Sequence, residues 1–345
     1  MKPTEFIGQL ELQVKREKVD SIDRKIMYLL SLNARISNST IARHLNLSRE
    51  SVAYRIKRLQ DLRILNGFLT LINAQKTGLM IQLVGIKLNN PALTNTIIEY
   101  LKKVKAVTSI SHCGGKFDLI ISILGKNNDE CYFTFQELLS QYHTSIKEYH
   151  IFSKLEQQFV GLKMLVTDEK ERHYLEKVKE TKGSSFQNEF LQKKEIHGRI
   201  ELDTTDQQLL HLLKNNARLP LTELSKRLHI GAFQIQSRIQ RLIRQDVITG
   251  FVPYFSLIHL GLQFNYIFLN VRKETEEKFK QWVREHPYVV WYSRHLGAYN
   301  YKLSTFVRDN AHLSELLEEL HQEFEGQISQ IETLPVFKKV QYFPY

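Results

Sequence analysis

Between Leu47 and Leu59 the chain reads LSRESVAYRIKRL, and between Ile230 and Leu242 it reads IGAFQIQSRIQRL. In the first stretch Val52, Ile56 and Leu59 recur at helical spacing and form a stripe that faces a core. The other face carries Ser48, Arg49, Glu50, Ala53, Tyr54 and Lys57, residue types suited to a DNA duplex. Arginine grips guanine through two hydrogen bonds and glutamate accepts from cytosine, so Arg49 and Glu50 are expected at base edges. Arg55, Lys57 and Arg58 are expected to neutralise phosphates, which orients a protein without reading sequence. Arg55 has a competing role, pinning the fold by pairing with an acidic residue such as Asp23. In the second stretch Gln234 and Gln236 are suited to adenine edges and Phe233 to a thymine methyl. Ser237, Arg238 and Arg241 take the positions of Tyr54, Arg55 and Arg58 there.

Other chemistry is weakly represented. His112 and His295 have no convergent acid or second ligand beside them in the sequence, so no catalytic centre is expected. Cys113 and Cys131, the two cysteines, lie in no C-x-x-C pair and build no disulfide framework. Neither a metal nor a cofactor is expected.

The elements that must position these residues are written twice. VDSIDRKIMYLLSLNAR (Val19 to Arg35) matches LDTTDQQLLHLLKNNAR (Leu202 to Arg218), with Asp23 and Asp206 183 residues apart. At the same offset Arg55 meets Arg238, Gly67-Phe68 meets Gly250-Phe251, Gly78-Leu79 meets Gly261-Leu262, and His112 meets His295. Within each unit the apolar period is first helical: Ile22, Ile26, Leu29 and Leu30, then Ile41, Ala42 and Leu45, then Val52, Ile56 and Leu59. Caps are expected at Asp20 or Ser21, at Asn38 or Ser39, and at Ser48. The short gap Asn46-Leu47-Ser48 has the length of a helix-turn-helix corner, and Ile64 to Thr70 reads as a wing with a glycine turn.

After Gly78 the period shifts toward two. IQLVGIKL, a helix over Ala92 to Val104, VTSISHC, FDLIISIL, a helix over Asp129 to Tyr142, and IKEYHIFSKL give the order βαββαβ. FNYIFLNV, Thr275 to His286, VVWYSRHL, YNYKLSTFV, Ala311 to Phe324 and ISQIETLPVF repeat it. That order is ferredoxin-like: two helices cover one face of a four-stranded antiparallel sheet and leave the other face needing a cover. The expected class is α+β. A winged helix-turn-helix at 16–72 and a sheet domain at 78–166 are followed by a charged linker at 167–198, which contains Gly183-Ser184-Ser185. A second helix-turn-helix at 199–255 and a second sheet domain at 260–345 complete the chain.

The net charge of +11 over 345 residues favours an anionic partner. Between Lys15 and Arg63 twelve basic residues face five acidic ones, against eight and five between Arg199 and Asp246. The first module is therefore the stronger DNA candidate, and the second has drifted toward neutrality. The N-terminus lacks a signal peptide's apolar core and no apolar run reaches membrane-spanning length, so a reducing cytoplasm is expected.

Both units resemble the Lrp/AsnC (feast/famine) transcription regulators. The resemblance is carried by SIDRKIMYLLSLNARIS, by TIARHLNLSRESVAYRIKRLQDLRILNGFLTLIN, and by a βαββαβ domain containing GKFD (Gly115 to Asp118). It implies a double-stranded-DNA-binding regulator whose ligand-sensing RAM domains pair sheet to sheet, with an amino-acid or other small effector. Two such domains on one chain favour an intrachain pseudo-dimer, because the linker raises their effective concentration, and higher homo-oligomers are open. The family's effector pocket lies near a G-x-[YF]-D hairpin, which implicates Gly115, Phe117 and Asp118. The second copy has Gly297, Tyr299 and Asn300, one residue off the 183 offset and with asparagine for the acid. The same architecture resembles that of some tetrapyrrole (sirohaem) decarboxylases, which implies an enzyme as one alternative. A ligand-binding or scaffold protein without DNA binding is the other.

Overall fold

The structure is a computed structural model in which residues 9–11, 16–177, 198–214 and 216–341 are described. The chain divides into two compact units. Lys18–Leu79 joins Leu165–Ser256 in one unit, and Met80–Met164 joins Leu257–Pro344, with the N-terminal segment, in the other. Each kind of domain has paired with its own copy.

The first unit holds the two helical heads. Head one comprises α1 (Ser21–Leu32), α2 (Asn38–Leu45) and α3 (Arg49–Asp61). Asp20 opens α1, its side chain accepting from the Asp23 N–H at 2.7 Å. Ser37 rather than Asn38 or Ser39 caps α2, accepting from the Thr40 N–H at 3.0 Å from an extended backbone. Asn46 then turns the corner in the left-handed region, φ 52°, which asparagine tolerates. Ser48 caps α3 by accepting from the Ser51 N–H at 3.0 Å. Ile26, Leu29, Ile41, Val52, Ile56 and Leu59 are buried, so the helical stripes meet as expected.

Each head's strand is not a local wing. Strand β2 (Leu65–Ile72) of head one pairs antiparallel with its counterpart, Ile248–Phe255, of head two, with Phe68 opposite Pro253 and Thr70 opposite Phe251. A single strand per head leaves backbone donors and acceptors unpaired, and the other copy supplies them. Head two repeats the helices as Thr204–Lys214, Leu221–Leu228 and Ala232–Arg244. Of the expected linker, Glu169–Glu176 is a helix against head one, where Tyr28 donates to Glu176 at 2.6 Å and Lys25 pairs with Glu171. Gly183 to Ser185 lie outside the described residues.

The second unit is built from two βαββαβ halves. The first half has β3 (Met80–Leu88), α4 (Thr94–Leu101), β4 (Val107–Cys113), β5 (Leu119–Gly125), α5 (Asn128–Tyr142) and β6 (Ile146–Phe159). After the linker helix (α6), the helices of head two (α7, α8 and α9) and its strand (β7), the second half has β8 (Gln263–Val271), α10 (Glu276–Glu285), β9 (Val289–Leu296), β10 (Tyr301–Val307), α11 (Asn310–Glu323) and β11 (Ile328–Gln341). With the short strand β1 (Gln9–Glu11) antiparallel to β11, the strand order runs β1-β11-β4-β5-β3-β6-β9-β10-β8, and a further β11–β8 pairing closes the ring. The two long last strands make the closure. β6 pairs with β3 up to Ser153 and with β9 from Ser153 onward. β11 pairs with β8 through Pro335 and with β4 from Val336. This supplies the missing cover, because each sheet's bare face turns toward the ring's interior while helices pack on the opposite face.

On the helix side, Val84, Ile86, Leu88, Ile97, Leu101, Val107 and Ile110 form one buried cluster. Ile267, Leu269, Val271, Phe279, Val283, Val289 and Tyr292 form the other. These clusters reveal where the copies change register. Leu88 and Val271 are 183 apart, but Ile97 and Phe279, Val107 and Val289, and Ile110 and Tyr292 are 182 apart. One residue is therefore lost before α10, and the structural counterpart of His295 is Cys113, not His112 as the constant offset implied. With the shift made there, the Gly115 and Gly297 hairpins correspond directly.

Candidate nucleic-acid interface and effector site

On α3 the sequence-predicted residues separate into two sets. Ser48, Arg49, Glu50, Ala53, Tyr54 and Lys57 are exposed, Tyr54 by 70 %. Lys57 also pairs with Asp61 one turn along the surface. Arg55 and Arg58 instead turn back onto the core. Arg55 contacts Asp20 at 2.7 Å and Asp23 at 2.8 Å, while Arg58 contacts Asp23 at 2.8 Å and donates to the Lys18 carbonyl at 3.0 Å. Asp23 is wholly buried, so its charge requires these partners. The hydrogen bonds it donates to the Asp20 and Asp23 carboxylates hold the Arg55 guanidinium above its ordinary pKa. Of the two roles open to Arg55, the structure adopts the fold-pinning one, and Arg58, expected on phosphate, shares it.

Helix α9 repeats the clamp. Arg238 contacts Asp203 at 2.6 Å and Asp206 at 2.8 Å, and Arg241 pairs with the same buried Asp206. Gln234, Gln236 and Ser237 are exposed, but Gln234 is engaged, since its side-chain oxygen accepts from the Gly231 N–H at 3.1 Å. Phe233 is 83 % exposed at the start of the helix.

Sequence reasoning missed the residues that couple the heads. Arg35 donates to the carbonyls of Ala217 and Leu219 and lies 5.5 Å from the Phe251 ring centre. Reciprocally, Arg218 donates to Asn38 Oδ1 at 2.8 Å and lies 5.0 Å from the Phe68 ring. Burial, with Arg218 nearby, pushes the Arg35 pKa down to about 10. The signal was present in the matched Asn-Ala-Arg of each copy, although spacing alone could not say what the arginines met.

The effector candidates sit in the second unit, and most of their polar groups are used within the fold. Asp118 accepts from Lys87 at 3.0 Å and from the Leu88 N–H at 2.8 Å, which ties the start of β5 to the end of β3. Asn300 does the same for β10 and β8, accepting from the Val271 N–H at 2.9 Å and donating to its carbonyl at 2.7 Å. Asparagine thus replaces the acid without loss of the staple. Phe117 is fully buried, and a Cβ at Gly85 would come within 3.0 Å of its ring. Tyr299 accepts from Lys116 at 2.8 Å and is buried. Gly115 and Gly297 have φ of +92° and +150°, and a Cβ at Gly297 would meet Phe152 at 2.8 Å. His112 stacks edge-on against Phe337, whereas His295 lies buried on β9. Among the described residues no group of three metal-ligating side chains occurs, and no helix is long and apolar enough to cross a membrane.

Comparison with known proteins agrees with both sets of elements. The AsnC-type helix-turn-helix domain matches residues 19–60 and 202–243, and the Lrp/AsnC ligand binding domain matches 266–344. An uncharacterized HTH-type transcriptional regulator of Pyrococcus furiosus is 31% identical over 105 residues, covering 30% of this chain and 70% of that protein. The proline dehydrogenase transcriptional activator of Rhodobacter capsulatus is 31% identical over 122 residues, covering 34% of this chain and 79% of that protein. Among solved structures, the siroheme decarboxylase NirDL superposes over 94% of both chains with a TM-score of 0.61 at 11% identity, which is a likeness of fold. With its helix-turn-helix matched twice and its second sheet domain matched once, the chain belongs to the Lrp/AsnC family of HTH-type transcriptional regulators.

Proposed function

We propose that the chain is a sequence-specific DNA-binding regulator that reads an asymmetric site with two unequal heads. The observation that supports this most is the outward set Arg49, Glu50, Tyr54 and Lys57, on a capped helix anchored from behind by the Asp23 clamp. An anchored helix presents side chains to a major groove at low entropic cost, which is how helix-turn-helix proteins read bases. Head two contributes weaker contacts through Gln236, Ser237 and Phe233. The sheet unit self-associates within the chain and responds to a small effector, as its ligand-binding domain suggests.

The test is fluorescence anisotropy of the full chain on duplex DNA across a salt series, beside the Arg49→Ala/Lys57→Ala double variant. Binding should fall steeply with salt, and the double variant should bind more weakly with a shallower slope. Absence of binding at low salt would overturn the reading. Mixing with an iron porphyrin tests the enzyme alternative, for which a shifted porphyrin absorbance is the positive sign.

A further inference from the structure

The closed ring of strands places three lysines on its inner face. On β8, Phe264, Tyr266 and Phe268 alternate with Ile267, Leu269 and Val271 of the helix-covered cluster, so they point inward. Lys302 follows from β10, where Leu303 belongs to that cluster, and its Nζ lies 4.2 Å from the Tyr266 ring centre. Lys339 on β11 lies next to the clustered Val340, and its Nζ is 6.0 Å from the same ring and 5.5 Å from that of Phe264. Lys154 is the cross-strand neighbour of His295, and its Nζ donates to Gln157 at 2.7 Å. Tyr266 and Ser111 hydroxyls meet at 2.9 Å, and Ser111 is the cross-strand neighbour of Lys339.

Three features make this cluster more than packing. First, among the described residues no carboxylate forms an ion pair with Lys302 or Lys339, and the group that stands beside them is the Cys113 thiol, which burial keeps neutral. Second, His295 is 2 % exposed and, among the described residues, both its ring nitrogens lack a hydrogen-bond partner. A buried polar atom left unsatisfied is costly, so a ligand is the simplest resolution. Third, the set occurs once in a duplicated scaffold. At the 182-residue offset the counterparts of Lys154, Lys302 and Lys339 are Val336, Ile120 and Gln157, and that of His295 is Cys113. Three uncharged residues therefore suffice to build the ring at equivalent positions. The lysines remain partly accessible to water although protein surrounds them.

The geometry points to a binding site for a small multivalent anion, an oxyanion or a compact polycarboxylate, held inside the strand ring by Lys154, Lys302, Lys339 and His295. The ammonium groups of Lys302 and Lys339, brought together with no ion-paired acid among the described residues, repel one another and lose hydration, and a bound anion reverses both penalties. The desolvation is visible in the lysines themselves: burial lowers Lys154 to about 7 and Lys339 to about 8, and Lys302 well below its ordinary value. Binding at pH 8 must therefore draw protons onto the site. This site does not depend on the DNA-binding reading, since no residue of either head takes part.

The experiment is calorimetric titration of the full chain with inorganic phosphate and, separately, with citrate, at pH 8 and constant ionic strength set with chloride. Two buffers of different ionisation enthalpy report proton uptake. Saturable binding with proton uptake is expected, and the stronger of the two anions identifies the chemistry. Lys302→Ile and Lys339→Gln, each carrying the other half's residue, should weaken it about ten-fold, the loss of one charge-assisted contact. Arg49→Ala/Lys57→Ala should leave it unchanged, which separates it from anion binding at the DNA face. Failure of both anions to saturate, binding without proton uptake, or unchanged affinity in a folded lysine variant would each overturn the inference. Should both lysine variants fail to fold, the proton uptake of the unmodified chain still decides.

Discussion

The two recognition helices stand on the same clamp and present different faces. Asp23 with Arg55 and Arg58, and Asp206 with Arg238 and Arg241, make equivalent contacts at matched positions. Ahead of them, however, Ser48-Arg49-Glu50 in one head is Gly231-Ala232-Phe233 in the other. A buried carboxylate that loses its partner is strongly unfavourable, so the clamp tolerates little change. An exposed side chain is free of that restraint and follows whatever it meets outside the fold. The difference teaches that basic residues on such a helix must be sorted by where they point before they are counted as DNA contacts.

That comparison can be broken most forcefully at the clamp. Asp23→Ala and Asp206→Ala should each destabilise the head unit by about 3 kcal/mol, the low end for breaking a buried pair because the arginines reach water. Urea unfolding followed by circular dichroism measures both, and a silent Asp206→Ala would show that the second clamp is not equivalent. A smaller effect is expected at the readout faces. Arg49→Ala should weaken binding to a selected DNA site by ~1–3 kcal/mol, the range for one bidentate base contact, and Gln236→Ala by less. Equal losses in competition binding would contradict the proposed inequality of the heads. The smallest effect concerns pH. Hydrogen bonds from Arg238 and the Asp206 N–H hold the Asp203 carboxyl below its ordinary value. Its contribution to stability is thus complete above the unfolded carboxylate pKa near 4 and lost as pH falls through the folded value. Thermal melting below pH 4 should show Asp203→Asn losing less stability on acidification than the unmodified chain.

The sheet unit offers the same contrast in another form. Asp118 and Asn300 differ in charge yet tie equivalent strands together, whereas Ile120 and Lys302 share a position and differ in what they place inside the ring. A motif resemblance pointed to Asp118 as a ligand group, and within the fold its carboxylate accepts from Lys87 and from the backbone N–H of Leu88. The inward lysines carried no motif, because a lone lysine on a strand reads as an ordinary solvent-facing residue.

By itself the sequence determined the duplication, the three helices of each head, the βαββαβ order and the concentration of charge in head one. These depend on periods of two and 3.6 and on caps such as Ser48, which act over a few residues. Tertiary structure decided the rest. Strand β2 takes β7 as its partner, and β6 and β11 each cross from one half to the other, because unpaired strand edges seek hydrogen bonds wherever the chain brings them. That closure turned Lys154, Lys302 and Lys339 from scattered surface-type residues into one enclosed cluster. The β2–β7 pairing likewise brought Arg35 and Arg218 across to the opposite head. No local pattern encodes such meetings, since the residues involved lie tens to hundreds of positions apart and meet only when the ring and the strand pair close.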